Sequence, residues 1–139
     1  MVEHELGAGG APSHLACKGA IVGLVADDTH VYAATDSGLV FSVPKGDAAS
    51  ECSAPPNLRT LADDPAGGAA GIALSSSRVV WSAPKTGELW SAPKSGNCAS
   101  PPCAERLAGD QKQPGRVTAD ANAVYWVNTG DRRVMKLVL

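Results

Sequence analysis

The residues whose type and spacing come nearest to chemistry are the four cysteines, Cys17, Cys52, Cys98 and Cys103. Cys98 and Cys103 bracket the tetrapeptide ASPP. That separation admits a disulfide if the backbone turns back on itself, because the bridge needs its two Cα atoms close together. Closing so short a loop would contribute roughly 2 kcal/mol by restricting the unfolded chain. A zinc knuckle is the competing chemistry, but it normally takes four ligands and tighter cysteine pairs. The pair therefore reads as a disulfide. Cys17 and Cys52 remain, and a Cys17–Cys52 bridge is one of the pairings open to four cysteines. No histidine accompanies a cysteine in a nucleophile motif, so a catalytic thiol is not indicated.

The other reactive side chains read as structural. His4 lies between Glu3 and Glu5 and could attract a cation, but a Gly- and Ala-rich terminal segment carries such residues without function. His14 and His30 stand apart from it. Asp27-Asp28 and Asp63-Asp64 could be paired carboxylates or calcium ligands. Both fall at predicted turns, where an aspartate side chain binds local backbone amides, and neither fits a calcium-hand loop. Asn128-Thr129-Gly130-Asp131 reads as a hairpin turn by composition. Trp81, Trp90 and Trp126 are large enough to stack on sugar rings. There is no phosphate-binding loop, no nucleophile elbow and no H-E-x-x-H helix. No cofactor and no metal is implied.

The elements that must position these residues come from a repeat. Gly23–Gly46, Gly71–Gly96 and Gly115–Leu139 follow one plan, with Asp27, Ser75 and Asp120 at equivalent places. A period of about 40–50 residues with strand-like content is the signature of β-propeller blades. In the first unit the predicted strands are 20–26, 30–34, 39–43 and 58–61. In the second they are 70–74, 79–83, 88–92 and 105–108, and in the third 116–119, 123–127 and 133–138. The third unit lacks a fourth strand, for which His14–Cys17 is a candidate. Pro44 and Pro93 end the third strands because proline cannot donate to a ladder.

This divides the chain into a lead-in over 1–19 and three units over 20–66, 67–111 and 112–139. The fold class expected is all-β, a partial propeller of about three four-stranded units. Within the repeat Trp81 matches Trp126, and Trp90 matches Phe41 and Met135. Tyr32, Phe41, Trp81, Trp90, Tyr125, Trp126 and Met135 are accordingly predicted as inter-blade core rather than a ligand platform. The runs Val79-Val80-Trp81 and Val124-Tyr125-Trp126-Val127 are continuously apolar, which predicts middle strands covered on both faces. Cys52 matches Cys98, while Asn57 stands where Cys103 would be.

At Val124–Leu137 the residues VYWVNTGDRRVMKL resemble the YWTD repeat of six-bladed propellers in the low-density lipoprotein receptor family. Tyr125 and Trp126 match; Val127 and Asn128 replace Thr and Asp. The second unit keeps Trp81 and the first keeps Tyr32. The stretch from Ala20 to Leu139 resembles more closely bacterial secreted repeats that read VYWTN and VMK, with cysteines in the loop before the fourth strand. The resemblance implies a propeller fold and is silent on activity, because propellers host binding proteins and enzymes alike.

Composition bounds the remaining possibilities. The chain has 139 residues and a formal charge of −2, which gives no reason to expect nucleic acid as a partner. No apolar run reaches the ~20 residues of a membrane span. The start lacks the basic and apolar regions of an export signal, whereas the cysteines read as structural ones from an oxidising compartment. An extracytoplasmic protein, trimmed or cut from a longer chain, reconciles the two. Three blades leave about half a ring open and expose apolar faces, which promote association. A homodimer completing a ring, a piece of a longer propeller and a compact three-unit sandwich are the alternatives. The function expected is a non-catalytic module for protein or ligand binding. The alternatives are a fragment of a propeller lyase or hydrolase, and a carbohydrate-binding propeller. An enzyme would need His, Glu or Asp at the first-strand starts, where Ala20, Ala70 and Gly115 stand.

Overall fold

The structure, a computed structural model, describes residues 19–46, 57–63, 68–96 and 103–139. The first sheet consists of β1 (Ile21–Ala26), β2 (His30–Thr35), β3 (Leu39–Pro44) and β4 (Arg59–Asp63). The second consists of β5 (Gly71–Leu74), β6 (Arg78–Ala83), β7 (Glu88–Pro93) and β8 (Glu105–Ala108). The third consists of β9 (Pro114–Ala119), β10 (Ala123–Asn128) and β11 (Arg133–Val138). Each sheet is an antiparallel meander, and there is no helix among the described residues. All eleven predicted strands are present, with no end displaced by more than two residues and the strands at 105–108 and 133–138 matching at both ends. His14–Cys17, and all of the lead-in except Gly19, lie outside the described residues.

Local chemistry sets the first turn of every unit. Asp27 Oδ1 accepts the amides of Thr29 and His30, both at 2.9 Å. Asp120 Oδ1 accepts those of Asn122 and Ala123, both at 2.8 Å. In the second unit Ser75 Oγ accepts the Arg78 amide at 3.2 Å. A short acceptor side chain satisfies turn amides that would otherwise be left to water, and the hairpin closes behind it. Pro44 and Pro93 end β3 and β7 as expected.

The three sheets stack in sequence order, with their first strands β1, β5 and β9 side by side. Gly71 permits this approach, because a Cβ there would stand 2.8 Å from the Gly115 carbonyl oxygen. The same carbonyl accepts the Ser82 hydroxyl, tying β6 to β9. One apolar cluster lies between the first and second sheets and includes Tyr32, Val40, Leu61, Val79 and Trp81, with Trp90 packed against it. A second lies between the second and third sheets and includes Val80, Leu89, Val124 and Trp126, with Met135 against it. Apolar seams between stacked four-stranded sheets, with the first strands innermost, make this a partial propeller.

Two-sided coverage holds for β2 and β6, where four and five consecutive residues are buried. It does not hold for β10. Val124 and Trp126 are buried against the second sheet, but Val127 is 37% exposed and Tyr125 is half-buried. The continuous apolar run in β10 has a neighbour on one face only among the described residues. Among the described residues the third sheet has three strands, with β11 at its edge.

Candidate functional site

Two concavities are candidates, and both arise from the stacking of the units. The first lies at the end of the seam between the first and second sheets. It measures ≈ 930 Å³, and Asp27, His30, Tyr32, Arg59 and Lys94 line it. Tyr32 lies two residues into β2, on the face turned toward the second unit. Its hydroxyl returns to Asp27 Oδ2 at 2.9 Å. Lys94, just beyond β7, approaches the same oxygen at 3.5 Å. His30 Nδ1 lies 2.8 Å from Thr29 Oγ1.

This arrangement ties up its ionisable groups. Burial pushes the Asp27 carboxyl up, but the amides of Thr29 and His30, the Tyr32 hydroxyl and the Lys94 ammonium outweigh it and hold the group well below the usual carboxylate range. Burial, together with the bond to Asp27, pushes the Tyr32 phenol up to about 12. A general acid or base works best with a pKa near the operating pH. Asp27 and Tyr32 are shifted to either side of neutrality, so neither titrates near neutral pH.

The second concavity is a groove of ≈ 540 Å³ along the innermost strands. Val22 and Leu24 of β1, Ile72 of β5, Arg116 and Val117 of β9 and Val127 of β10 are among its walls. Among the described residues Arg116 is the one charged side chain lining it. The groove can take an apolar or weakly anionic group, and Thr118 and Tyr125 are the hydroxyl-bearing side chains among the described residues that line it. Among the described residues no group of three His, Cys, Asp or Glu side chains is placed to hold a metal ion.

The predicted core residues divide among separate clusters and do not form one site. Tyr32, Trp81 and Trp90 belong to the first seam, and Trp126 and Met135 to the second. Phe41 is buried with Ala33 and Val43 in a third cluster confined to the first unit. Tyr125 is half-buried on the uncovered face, and its hydroxyl reaches Asp120 Oδ2 at 3.2 Å. The repeat pairing is visible in the ladders, where Ala33, Trp81 and Trp126 stand opposite Phe41, Trp90 and Met135. Trp90 remains half-buried, with its indole N–H on Glu88 Oε1 at 3.2 Å. Of the cysteines, Cys103 lies among the described residues, its sulfur 3.3 Å from the Gly96 carbonyl oxygen. Cys17, Cys52 and Cys98, and with them both expected pairings, lie outside.

One polar cluster escaped the sequence reading. The Trp126 indole N–H lies 3.1 Å from Asn128 Oδ1 and 3.2 Å from Gln111 Oε1, and Asn128 Nδ2 donates to that Gln111 oxygen at 2.9 Å. Asn128 appeared as part of a hairpin turn. It ends β10 instead, 3% exposed, and ties the linker between units to the third sheet. The available signal was the even spacing of Val124, Trp126 and Asn128, which puts all three on one strand face.

No protein-family profile and no curated protein sequence matches the chain. Among solved structures it is similar to the PQQ-bound form of aldose sugar dehydrogenase from Streptomyces coelicolor, with a TM-score of 0.58 and 16% identity. The match covers 84% of this chain and 42% of that one. That protein is a β-propeller, and at this identity the likeness shows the fold alone.

Proposed function

We propose that this chain is a non-catalytic β-propeller module of extracytoplasmic type, related to YWTD repeats, which binds a ligand along its innermost strands. The observation that carries the reading is the groove beside β1, β5 and β9, with apolar walls and Arg116 as its charge. Concave, mostly apolar sites with a few polar groups are the usual form of a ligand site. The locked state of Asp27 and Tyr32 supports a binding role over an enzymatic one. The groove residues do not fit a polyanionic redox cofactor, which would need more than one positive counter-charge.

An apolar anion is the suitable first probe. Anilinonaphthalene sulfonate should bind at one site per chain with a rise in fluorescence, and Arg116→Glu should weaken that binding about tenfold. Equal binding by the variant would overturn the groove as the site. Turnover of an aldose in the presence of added quinone cofactor would overturn the non-catalytic reading. The extracytoplasmic assignment rests on Cys17, Cys52, Cys98 and Cys103 as two disulfides. Intact mass before and after reduction should differ by about four hydrogens, in keeping with two bridges among four cysteines.

A further inference from the structure

We propose that the concavity at the end of the first seam binds a carboxylate-bearing polar ligand, whose carboxylate takes a place that the second unit fills with its own glutamate. This site is separate from the groove along the innermost strands, and residues of the first two units build it.

Equivalent positions in the two units define that place. In the second unit Arg78 stands opposite Pro93, Val80 opposite Ser91, and Ser91 opposite Glu105. Arg78 Nε donates to Ser91 Oγ at 2.9 Å, and the same guanidinium approaches Glu105 Oε1 at 3.4 Å. A cation, a hydroxyl and a carboxylate thus form a balanced cluster across three strands. In the first unit His30 stands opposite Pro44, Tyr32 opposite Ser42, and Ser42 opposite Arg59. The ladder places are the same, with His30 for Arg78, Ser42 for Ser91 and Arg59 for Glu105. The anion of the cluster is gone, and a cation stands in its place. Directly paired residues share a strand face, and His30, Ser42 and Arg59 all line the concavity.

Ser42 is 3% exposed. Among the described residues nothing bonds its hydroxyl, whereas its counterpart Ser91 holds Arg78. A buried hydroxyl without a partner costs free energy, and a ligand oxygen that meets it removes that cost. Among the described residues Arg59 makes no ion pair either. Asp27 is the one carboxylate among those lining the concavity, and it is already engaged. Its Oδ1 accepts the Thr29 and His30 amides, and its Oδ2 meets the Tyr32 hydroxyl and Lys94. Lys94 offsets the Asp27 charge, which leaves Arg59 as the uncompensated cation.

Both cations are held in position. Lys94 N donates to Ser77 O at 3.0 Å, which fixes the chain just beyond β7. Gly96 lets the Arg59 stem lie against that turn, because a Cβ there would stand 2.6 Å from Arg59 Cδ. A guanidinium presents two parallel N–H groups that match the two oxygens of a carboxylate, with the Ser42 hydroxyl as a further donor. At ≈ 930 Å³ the concavity has room for a ligand of sugar size, and Asn57 and Thr60 on its walls suit a hydroxylated body.

Amide-resolved NMR of the full chain tests this, with D-glucuronate as the probe and D-glucose as its uncharged counterpart. Glucuronate should shift the amide signals of His30, Ser42, Arg59 and Lys94 to saturation, and glucose should not. Arg59→Glu restores the second unit's pattern at an exposed position. It should weaken glucuronate binding about tenfold or more, with the spectrum otherwise kept. Ser42→Ala should weaken it by a smaller factor. Equal shifts with glucose, shifts confined to the groove residues Arg116 and Val117, or undiminished binding by Arg59→Glu would overturn the site. Tighter binding of inorganic phosphate than of glucuronate would overturn the carboxylate assignment. Arg59→Glu should still take the sulfonate probe in the groove, so failure of either site leaves the other standing.

Discussion

Tyr32 donates its hydroxyl to Asp27 at 2.9 Å inside a seam between two sheets, where it is 2% exposed. Tyr125 and Asp120 make the same bond at 3.2 Å in the third unit, with Lys136 lying 5.9 Å from the ring. That copy faces outward. Equal sequence spacing thus yields a buried, charge-assisted bond in one unit and a solvent-screened one in another. Tyr32→Phe should cost about 1–3 kcal/mol, read as a fall in Tm by calorimetry. Tyr125→Phe should leave Tm unchanged. An equal fall in both would show that burial does not distinguish the two pairs.

The ionisation of the pair can be followed directly by ultraviolet absorbance. The neutral Tyr32 phenol is favoured in the folded state, with its pKa raised from 10.0 to about 12. Its contribution to stability is therefore full below pH 10 and is lost as pH rises through about 12. A tyrosinate signal complete near pH 10 in the folded protein would contradict the buried bond. For Asp27 the sign is reversed, because its pKa is lowered. Its contribution is full above the ordinary value of 3.8 and is lost as pH falls toward the lower folded value. Asp27→Asn should flatten the acid side of the stability profile.

Asn128→Ala should destabilise by about 1–3 kcal/mol, because it strips a hydrogen-bond partner from the Trp126 indole and another from Gln111 in a buried place. Tryptophan emission should change with it. Asn128→Asp sets an acceptor-only carboxylate against the Gln111 oxygen in a buried place, and it should destabilise at least as much as alanine near neutral pH. Chemical denaturation of the three proteins provides the comparison.

Gly71→Ala should separate the innermost strands. The added methyl would stand 2.8 Å from the Gly115 carbonyl oxygen and 3.1 Å from the Val117 amide nitrogen, both backbone atoms that cannot swing aside. The expected cost is about 1–3 kcal/mol, together with weaker binding in the adjacent groove. Gly46→Ala, with open space around the new methyl, is the control. Tm for the two variants should differ clearly.

Much of this fold was legible because its causes are local. Asp27, Ser75 and Asp120 each satisfy turn amides two or three residues away, so the turns could be read from residue type and spacing. Pro44 and Pro93 mark strand ends for an equally local reason. The Asn128 cluster was not legible, since Gln111 joins it from 17 residues away and only the stacking of units brings them together.

By itself, then, the sequence determined the eleven strands, their meander order and the equivalence of Tyr32 with Tyr125 and of Trp81 with Trp126. The tertiary structure alone decided which equivalent residues are buried. Val80 and Val127 both sit in apolar middle-strand runs, yet Val80 is fully buried and Val127 is 37% exposed. Burial depends on whether another sheet covers that face, and hydrophobic stabilisation follows the area removed from water. Strand and turn preferences act over a few residues, whereas the covering sheet comes from a distant part of the chain or from another molecule.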